Sequence, residues 1–139
     1  MLSYLQRGMS MDFNEYSYIC KLNTDILEQE FGALATDELI ITDERDGHIK
    51  ERHADDYNLF HQCVLDVVQI PDLILKDSKN KNTVFYIKYI EETNLNIVIR
   101  LSLETENTGK KNSIITAYRL GTKNLKRFKK NNKTLYNRD

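Results

Sequence analysis

The hydrophobic periodicity of this chain changes at Pro71, which is its only proline. Before Pro71, the segment 57–69 repeats apolar side chains at i, i+1, i+4, i+5, i+8 and i+9: Leu59, Phe60, Cys63, Val64, Val67 and Val68. This spacing predicts a helix with one broad apolar face. After Pro71, the segment 95–104 alternates, which predicts a strand with one buried face. Helices that precede strands in this way predict an α+β fold.

The same patterns assign most of the remaining chain. Helices are predicted over residues 24–31, 43–53, 57–69 and 122–130. Strands are predicted over residues 73–77, 83–91, 95–104 and 113–120. Residues 16–22 fit either a short strand or the start of a helix. We therefore expect N-terminal helices packed on one face of a roughly four-stranded antiparallel sheet, whose other face is open to solvent or to a ligand.

A chain of 139 residues is long enough for one hydrophobic core, so a single compact unit is expected. Within it, residues 1–38 are interpreted as an N-terminal extension with one helix, and residues 39–139 as the main domain. No apolar run approaches the ~20 residues of a membrane span, so no membrane partner is expected. Residues 1–11 lack the apolar segment of a signal peptide. Cys20 and Cys63 have no metal-ligand spacing, which indicates a reduced, cytoplasmic protein without metal or cofactor.

Charge is distributed unevenly along the chain. Residues 1–80 contain 7 Lys/Arg and 16 Asp/Glu, whereas residues 81–139 contain 13 Lys/Arg and 5 Asp/Glu. A basic surface on the C-terminal half would attract polyanions such as nucleic acids. The alternative is that the two halves neutralise each other within the fold.

Two of the three histidines lie in one predicted helix with two arginines. Arg45, His48 and Arg52 recur at i, i+3 and i+7 and share a stripe, whereas His53 lies nearer the buried edge or ends the helix. Imidazole beside guanidinium is suited to proton transfer next to a phosphate. A zinc site is not expected, because the histidines are at i, i+5 rather than i, i+4. The alternatives are a solvated, ion-paired helix face and a hydrogen-bonded core histidine at position 53.

The predicted strands supply complementary groups: Lys88, Arg100, Lys111, Ser113, Thr116 and Tyr118. Arginine binds phosphate in a bidentate manner, and tyrosine stacks on bases. Alternation places Thr116 and Tyr118 on one face of their strand and Ser113 on the other, unless a bulge intervenes. The alternative is an ordinary solvent-facing sheet surface.

Several of these segments resemble a family of phage barnase–EndoU–colicin–RelE-like nuclease domains. The segments are Ile41-Thr-Asp-Glu-Arg45, His48-Ile-Lys-Glu-Arg-His53-Ala-Asp-Asp-Tyr57, Pro71-Asp-Leu-Ile-Leu75, Lys111-Asn-Ser-Ile-Ile-Thr-Ala-Tyr118 and Lys133-Thr-Leu-Tyr136. The resemblance runs from about Leu39 to Tyr136. It implies a small α+β fold and a superfamily dominated by metal-independent ribonucleases, many of them toxins or mobile-element products.

In such enzymes a ribose 2′-hydroxyl attacks the adjacent phosphate. The resemblance implies that His48 or His53 is the acid or base, and that Arg52 and Arg100 stabilise negative charge. It also implies that Ser113 and Thr116 hold the phosphate or orient a catalytic group. The expected catalytic residues are therefore His48, His53, Arg100 and Thr116. The expected substrate-binding residues are Arg52, Lys88, Lys111, Ser113 and Tyr118.

The expected partners are RNA and a neutralising or immunity protein. Two other functions are compatible with the same sequence. One is a non-catalytic nucleic-acid-binding module that keeps this fold. The other is a protein-interaction domain whose acidic N-terminal half recruits a basic partner.

Overall fold

The computed structural model describes residues 7–9 and 15–139, with side chains from residue 15 onward. Within these residues the strands are β1 Arg7–Met9, β2 Glu15–Lys21, β3 Glu38–Thr42, β4 Leu73–Lys76, β5 Thr83–Ile90, β6 Thr93–Arg100, β7 Asn112–Leu120 and β8 Lys133–Asn137. The helices are α1 Asp25–Phe31, α2 Asp43–Arg52, α3 Ala54–Gln69 and α4 Thr122–Asn131, with a short 3-10 helix at Glu104–Glu106.

All eight strands form one sheet in the order β1-β2-β3-β7-β6-β5-β4-β8. The pairing of β3 with β7 is parallel, and the other neighbours are antiparallel. The α+β class is correct, and the meander of β4 to β7 is present. The expectation of a roughly four-stranded antiparallel sheet is wrong, because β1, β2 and β3 extend the sheet on one side and β8 extends it on the other.

Strand β3 was not predicted from the sequence because it is short and buried on both faces. Its residues Leu39, Ile40 and Ile41 are all buried, so they show no alternation. A short apolar run of this kind fits a helix and a strand equally well. Its partner β7 lies more than seventy residues later, and the two meet through Leu39 opposite Asn112 and Ile40 opposite Ser113. No local signal reveals this long-range pairing.

The sheet is covered by helices on both faces rather than on one. The larger core lies beneath α1, α2 and α3 and includes Leu27, Ile49, Phe60 and Ile97. On the opposite face α4 packs through Leu125 and Phe128 onto a smaller core of β4, β5, β6 and β7 residues. The rings of Phe128 and Phe85 lie 5.0 Å apart between centroids. Helix α4 contacts β7 and β8 on this face.

Helices α2 and α3 meet at His53 without an intervening loop. Thr42 caps α2, as its side-chain oxygen accepts a hydrogen bond from the Arg45 N–H at 3.2 Å. The His53 N–H donates to the Ile49 carbonyl, and the His53 carbonyl accepts from the Asp56 N–H. His53 therefore ends one helix and begins the next, so that α3 starts at Ala54 rather than at the predicted residue 57.

The N-terminal segments take part in the main fold. Strand β2 pairs with β3, and Leu27 of α1 is fully buried in the larger core. Most of the segment 1–11, which was not expected to be a signal peptide, lies outside the described residues. In the part of the chain that is described, no helix is both long and apolar enough to cross a membrane.

Burial predicts different outcomes for two apolar residues of α3. Phe60 is fully buried, whereas Leu65 is 40% exposed. We expect Phe60→Ala to lower the free energy of unfolding by about 3–5 kcal/mol, because it leaves a cavity in the core. Leu65→Ala, the matched control, should change it by about 0.5 kcal/mol or less. Denaturant titration followed by circular dichroism measures both values, and similar losses in the two variants would contradict this packing of α3.

Candidate functional site

A bulge in β7 gathers the predicted strand residues on one face of the sheet. The register between β6 and β7 shifts, so that Val98 lies opposite Thr116 and Ile99 opposite Ile114. One extra residue reverses the alternation. Ser113 therefore lies on the same face as Thr116 and Tyr118. Without the bulge, alternation would have placed Ser113 on the opposite face.

These residues form a polar strip across β6 and β7, which we define as Asn96, Arg100, Ser113, Thr116 and Tyr118. Arg100 lies opposite Ser113, and Asn96 lies opposite Tyr118, with Val98 and Thr116 between these two pairs. On β6 the strip runs from Asn96 to Arg100, which is four residue steps, or roughly 13 Å at the rise of a strand. It lies on the face that α4 partly covers, since Val98 and Tyr118 belong to the smaller core.

His53 reaches one end of the polar strip. Its ring centroid lies 5.4 Å from that of Tyr118, with the ring planes inclined at 32°. Arg100 is at the other end, where its guanidinium lies 3.5 Å from the Glu106 carboxylate. An imidazole and a guanidinium therefore bracket two hydroxyl residues along one surface. Because the His53 imidazole and the Arg100 guanidinium lie at opposite ends of the strip, they suit contacts to different parts of an extended ligand better than contacts to a single phosphate.

An ion pair holds the start of α3 against the free edge of β7. Strand β3 pairs with β7 at Asn112 and Ser113, and among the described strands no other strand pairs with the rest of that edge. There the Asp56 carboxylate accepts hydrogen bonds from the Arg119 backbone N–H at 3.1 Å and from its guanidinium at 2.9 Å. The same guanidinium donates to the Asp55 carbonyl at 3.1 Å. We call these contacts of Arg119 with Asp55 and Asp56 the clamp. Because His53 precedes the two acids and Tyr118 precedes Arg119, the clamp brings the rings of His53 and Tyr118 together.

Two predicted cations are engaged elsewhere. Lys88 lies opposite Leu95, which places it on the face covered by α1, α2 and α3 and not on the face of the polar strip. Its ammonium group donates to the Ile70 carbonyl at the end of α3 at 2.7 Å, a favourable position for a cation. Lys111 pairs with Glu38 at 3.0 Å. Both lysines have a structural role that accounts for their position.

The remaining predicted residues lie on α2. His48 is half-buried, and in the described part of the chain no hydrogen bond, ion pair or ring contact links it to the polar strip. Arg52 is exposed in the last turn of α2, immediately before His53. Arg52 is therefore the arginine that the backbone places next to the histidine at the strip.

The third histidine belongs to a cluster that the sequence analysis missed. The His61 Nε2 atom lies 3.0 Å from Asp46, and the Tyr57 hydroxyl donates to the same carboxylate at 2.8 Å. Burial, followed by the hydrogen bond to Asp46, raises the pKa of Tyr57. The cluster joins α2 to α3 on either side of the break at His53. The i, i+4 spacing of Tyr57 and His61 was visible in the sequence, but their partner across the helix break was not.

Asn96 is a second residue that the sequence analysis missed. It is fully buried, yet neither its amide nitrogen nor its amide oxygen has a hydrogen-bond partner among the described residues. The Thr116 hydroxyl, one residue pair along the strip, is also buried without a partner. A buried polar group left unpaired costs about 1–3 kcal/mol. Burial raises the pKa of Tyr118, and the neighbouring Asn96 amide partly offsets that rise.

Helix α4 presents a row of cations beside this face. The exposed members are Lys123, Lys126, Arg127, Lys129 and Lys130. Across the described residues, none of these five side chains forms an ion pair with a carboxylate, and the first turn of α4 carries no acid. Helix α4 therefore forms a positive surface. Five other cations of the C-terminal half pair with acids of the N-terminal half and so neutralise part of its charge: Lys88, Lys111, Arg119, Lys133 and Arg138.

Two further features of the described residues bear on ligands. A cavity of about 280 Å³ lies between α4 and the ends of β4, β5 and β6, and its walls include Leu73, Tyr89 and Lys129. It shares no residue with the polar strip. Among residues 15–139, no three His, Cys, Asp or Glu side chains are grouped as metal ligands.

The clamp between Asp56 and Arg119 gives a prediction about His53. Both Asp56→Ala and Arg119→Ala should weaken the nuclear Overhauser effect between the His53 and Tyr118 rings, because the start of α3 is released from β7. A double-mutant cycle on unfolding should give a coupling of about 0.5–1 kcal/mol, since Arg119 is partly exposed. An unchanged ring contact in both single variants would show that other packing positions His53.

The chain matches no protein-family model, no curated protein and no solved structure. The resemblance to nuclease domains therefore rests on the quoted sequence segments alone.

Proposed function

We propose that this protein binds single-stranded RNA across the polar strip and cleaves it without a metal ion. The observation that carries the proposal is the contact between His53 and Tyr118 at the end of a strip that also holds Thr116, Ser113 and Arg100. An imidazole, hydroxyls and a guanidinium on one surface provide proton transfer and phosphate binding together. Tyr118 adds an aromatic ring on which a base can stack.

The proposed reaction is an internal transesterification. The ribose 2′-oxygen forms a bond to the adjacent phosphorus, and the bond from phosphorus to the 5′-oxygen breaks. One proton leaves the 2′-hydroxyl and another reaches the 5′-oxygen, giving a cyclic phosphate and a 5′-hydroxyl. His53 performs one of these proton transfers, and Arg52, its exposed neighbour, stabilises the charge on the phosphate. Arg100 and Ser113 hold the adjoining part of the chain.

The α4 surface supports an RNA substrate. Five exposed cations without carboxylate partners among the described residues attract a polyanion from a distance and release its counterions on contact. A neutralising protein, which the resemblance also implies, would need an acidic surface to cover α4. RNA as substrate also fits a cytoplasmic location and a toxin-like role.

One observation favours a second candidate, a non-catalytic RNA-binding module. In the described part of the chain no side chain hydrogen-bonds to the His53 ring, whereas Asp46 does contact the ring of His61. A catalytic imidazole is commonly held in one tautomer by such a partner. The binding surface would function without it.

A cleavage assay in EDTA separates the two candidates. We expect the wild-type protein to cut RNA and to leave cyclic-phosphate and 5′-hydroxyl ends, which mass spectrometry identifies. His53→Ala should reduce the rate by about 10²-fold or more, the usual share of a general acid or base. His61→Ala is the matched control, as His61 lies in the Asp46 cluster rather than at the strip, and it should retain most of the activity.

Two results would contradict the proposed mechanism. If His53→Ala cleaves as fast as the wild type, His53 is not the proton-transfer group. If tRNA, rRNA and mRNA all stay intact but are bound, the protein is the non-catalytic module. His48→Ala, measured in parallel, tests the other histidine that the sequence indicates.

The contribution of α4 is measured by the salt dependence of binding. Replacing Lys123, Lys126 and Lys130 with Gln should lower the slope of log affinity against log salt by about 2, at about 0.7 per phosphate contact on a single strand. Lys21→Gln and Lys79→Gln change exposed lysines outside α4 and should leave the slope unchanged. Equal slopes in the α4 variant and the wild type would exclude α4 from the RNA-binding surface.

A further inference from the structure

Two buried asparagines on neighbouring strands have opposite hydrogen-bonding environments. Asn112 of β7 accepts from the Ser102 N–H at 2.8 Å and donates to the carbonyls of Thr36 and Glu38 at 2.9 and 3.0 Å. Asn96 of β6 has no partner for either amide atom within the described residues. Both side chains are fully buried. The fold therefore satisfies the amide at position 112 with three hydrogen bonds. The amide at position 96 has only the Tyr118 hydroxyl beside it, without a hydrogen bond of normal geometry.

The unpaired groups lie together at the proposed RNA-binding surface. Asn96 is opposite Tyr118, and the unpaired Thr116 hydroxyl belongs to the next residue pair of the same face. A side-chain amide offers an NH2 donor group and a carbonyl acceptor side by side, and a hydroxyl both donates and accepts. Buried polar groups without partners in native proteins call for an explanation, and a ligand that supplies the missing partners is one.

We propose that Asn96 and Thr116 form a subsite for a group of RNA that both donates and accepts hydrogen bonds, either a ribose 2′-hydroxyl or a base edge. This inference rests on the proposed RNA-binding function and names the part of RNA that the polar strip recognises. Tyr118 covers the subsite in the free protein, because it is half-buried and directly opposite Asn96. RNA displaces the Tyr118 ring, which then stacks on a base, and the amide gains its partners.

If Asn96 and Thr116 form such a subsite, removing its polar groups should stabilise the free protein and weaken RNA binding. Asn96→Leu replaces an unpaired amide by an apolar group of similar shape, so we expect the Tm to rise by about 3 °C or more. Asn112→Leu, the matched control, should lower the Tm by roughly 5 °C or more, because it leaves three backbone groups unpaired. Thr116→Val removes the second hydroxyl with little change in shape and should not lower the Tm.

Binding is measured by fluorescence anisotropy with labelled single-stranded RNA, and RNA recovered from the samples is checked for intactness. The full-length chain carrying His53→Ala, so that bound RNA is not cut, is compared with the same chain carrying Asn96→Leu or Thr116→Val in addition. The ligands are RNA and DNA of one sequence, and RNA homopolymers of A, C and U. We expect each variant to bind RNA about tenfold more weakly. If DNA binding is unchanged, the recognised group is the 2′-hydroxyl. If the preference among homopolymers is lost instead, it is a base edge.

Three results would overturn the inference, and they distinguish a failure of the subsite from a failure of the proposed function. Unchanged RNA affinity in Asn96→Leu, with a wild type that does bind RNA, removes the subsite and leaves the proposed function standing. A fall in Tm like that of Asn112→Leu shows that the Asn96 amide is already satisfied in the free protein, for example by water, and also removes it. A wild type that binds no RNA overturns the proposed function itself, together with this inference.

Discussion

The side chain of Asn112 joins three backbone segments where the sheet changes from antiparallel to parallel pairing. It accepts from Ser102, just after β6, and donates to Thr36 and Glu38, at the start of β3. Strand β7 must begin at this point if β3 and β6 are to lie on its two sides. From there the register of β7 determines which hydroxyls lie on the face of the polar strip, and the edge of β7 beyond Ser113 is where α3 docks. The arrangement of the candidate site therefore follows from how β7 enters the sheet.

Elements with a strong local pattern were predictable from the sequence. The apolar spacing of residues 57–69 and the alternation of residues 95–104 correctly indicated α3 and β6. The predicted start of the helix 43–53 is also correct: Thr42 is a residue type that caps helices, and Asp43 and Glu44 follow it in the first turn of α2. Each of these features depends on neighbours within a few residues, where propensity, capping and the helix dipole act. The parallel pairing of β3 with β7 depends on residues far apart, and no local pattern encodes it.

The candidate site shows the same division. That Arg100 lies on the non-core face of β6 followed from alternation alone. The face of Ser113 did not, because one bulged residue reverses it. Lys88 was grouped with Arg100, but both faces of β5 carry apolar side chains, so its alternation did not reveal which face meets the helices. Alternation along β6 places Asn96 on the same face as Arg100, but Asn96 is fully buried, opposite Tyr118 of β7. The positions of Ser113, Lys88 and Asn96 therefore depend on neighbouring strands and helices that only the tertiary fold brings together.

The pairing of β3 with β7 also has a consequence for synthesis of the protein. Ile40 and Ser113 are seventy-three residues apart, and at ribosomal speeds of about 5–20 residues per second this delay is roughly 4–15 s. During that time β2 and β3 can pair, but the apolar residues Leu39 to Ile41 have no strand on their other side. An uncovered apolar edge of this kind recruits other chains. The nascent protein therefore passes through a stage in which chaperone binding or aggregation competes with folding, and that stage ends when β7 emerges.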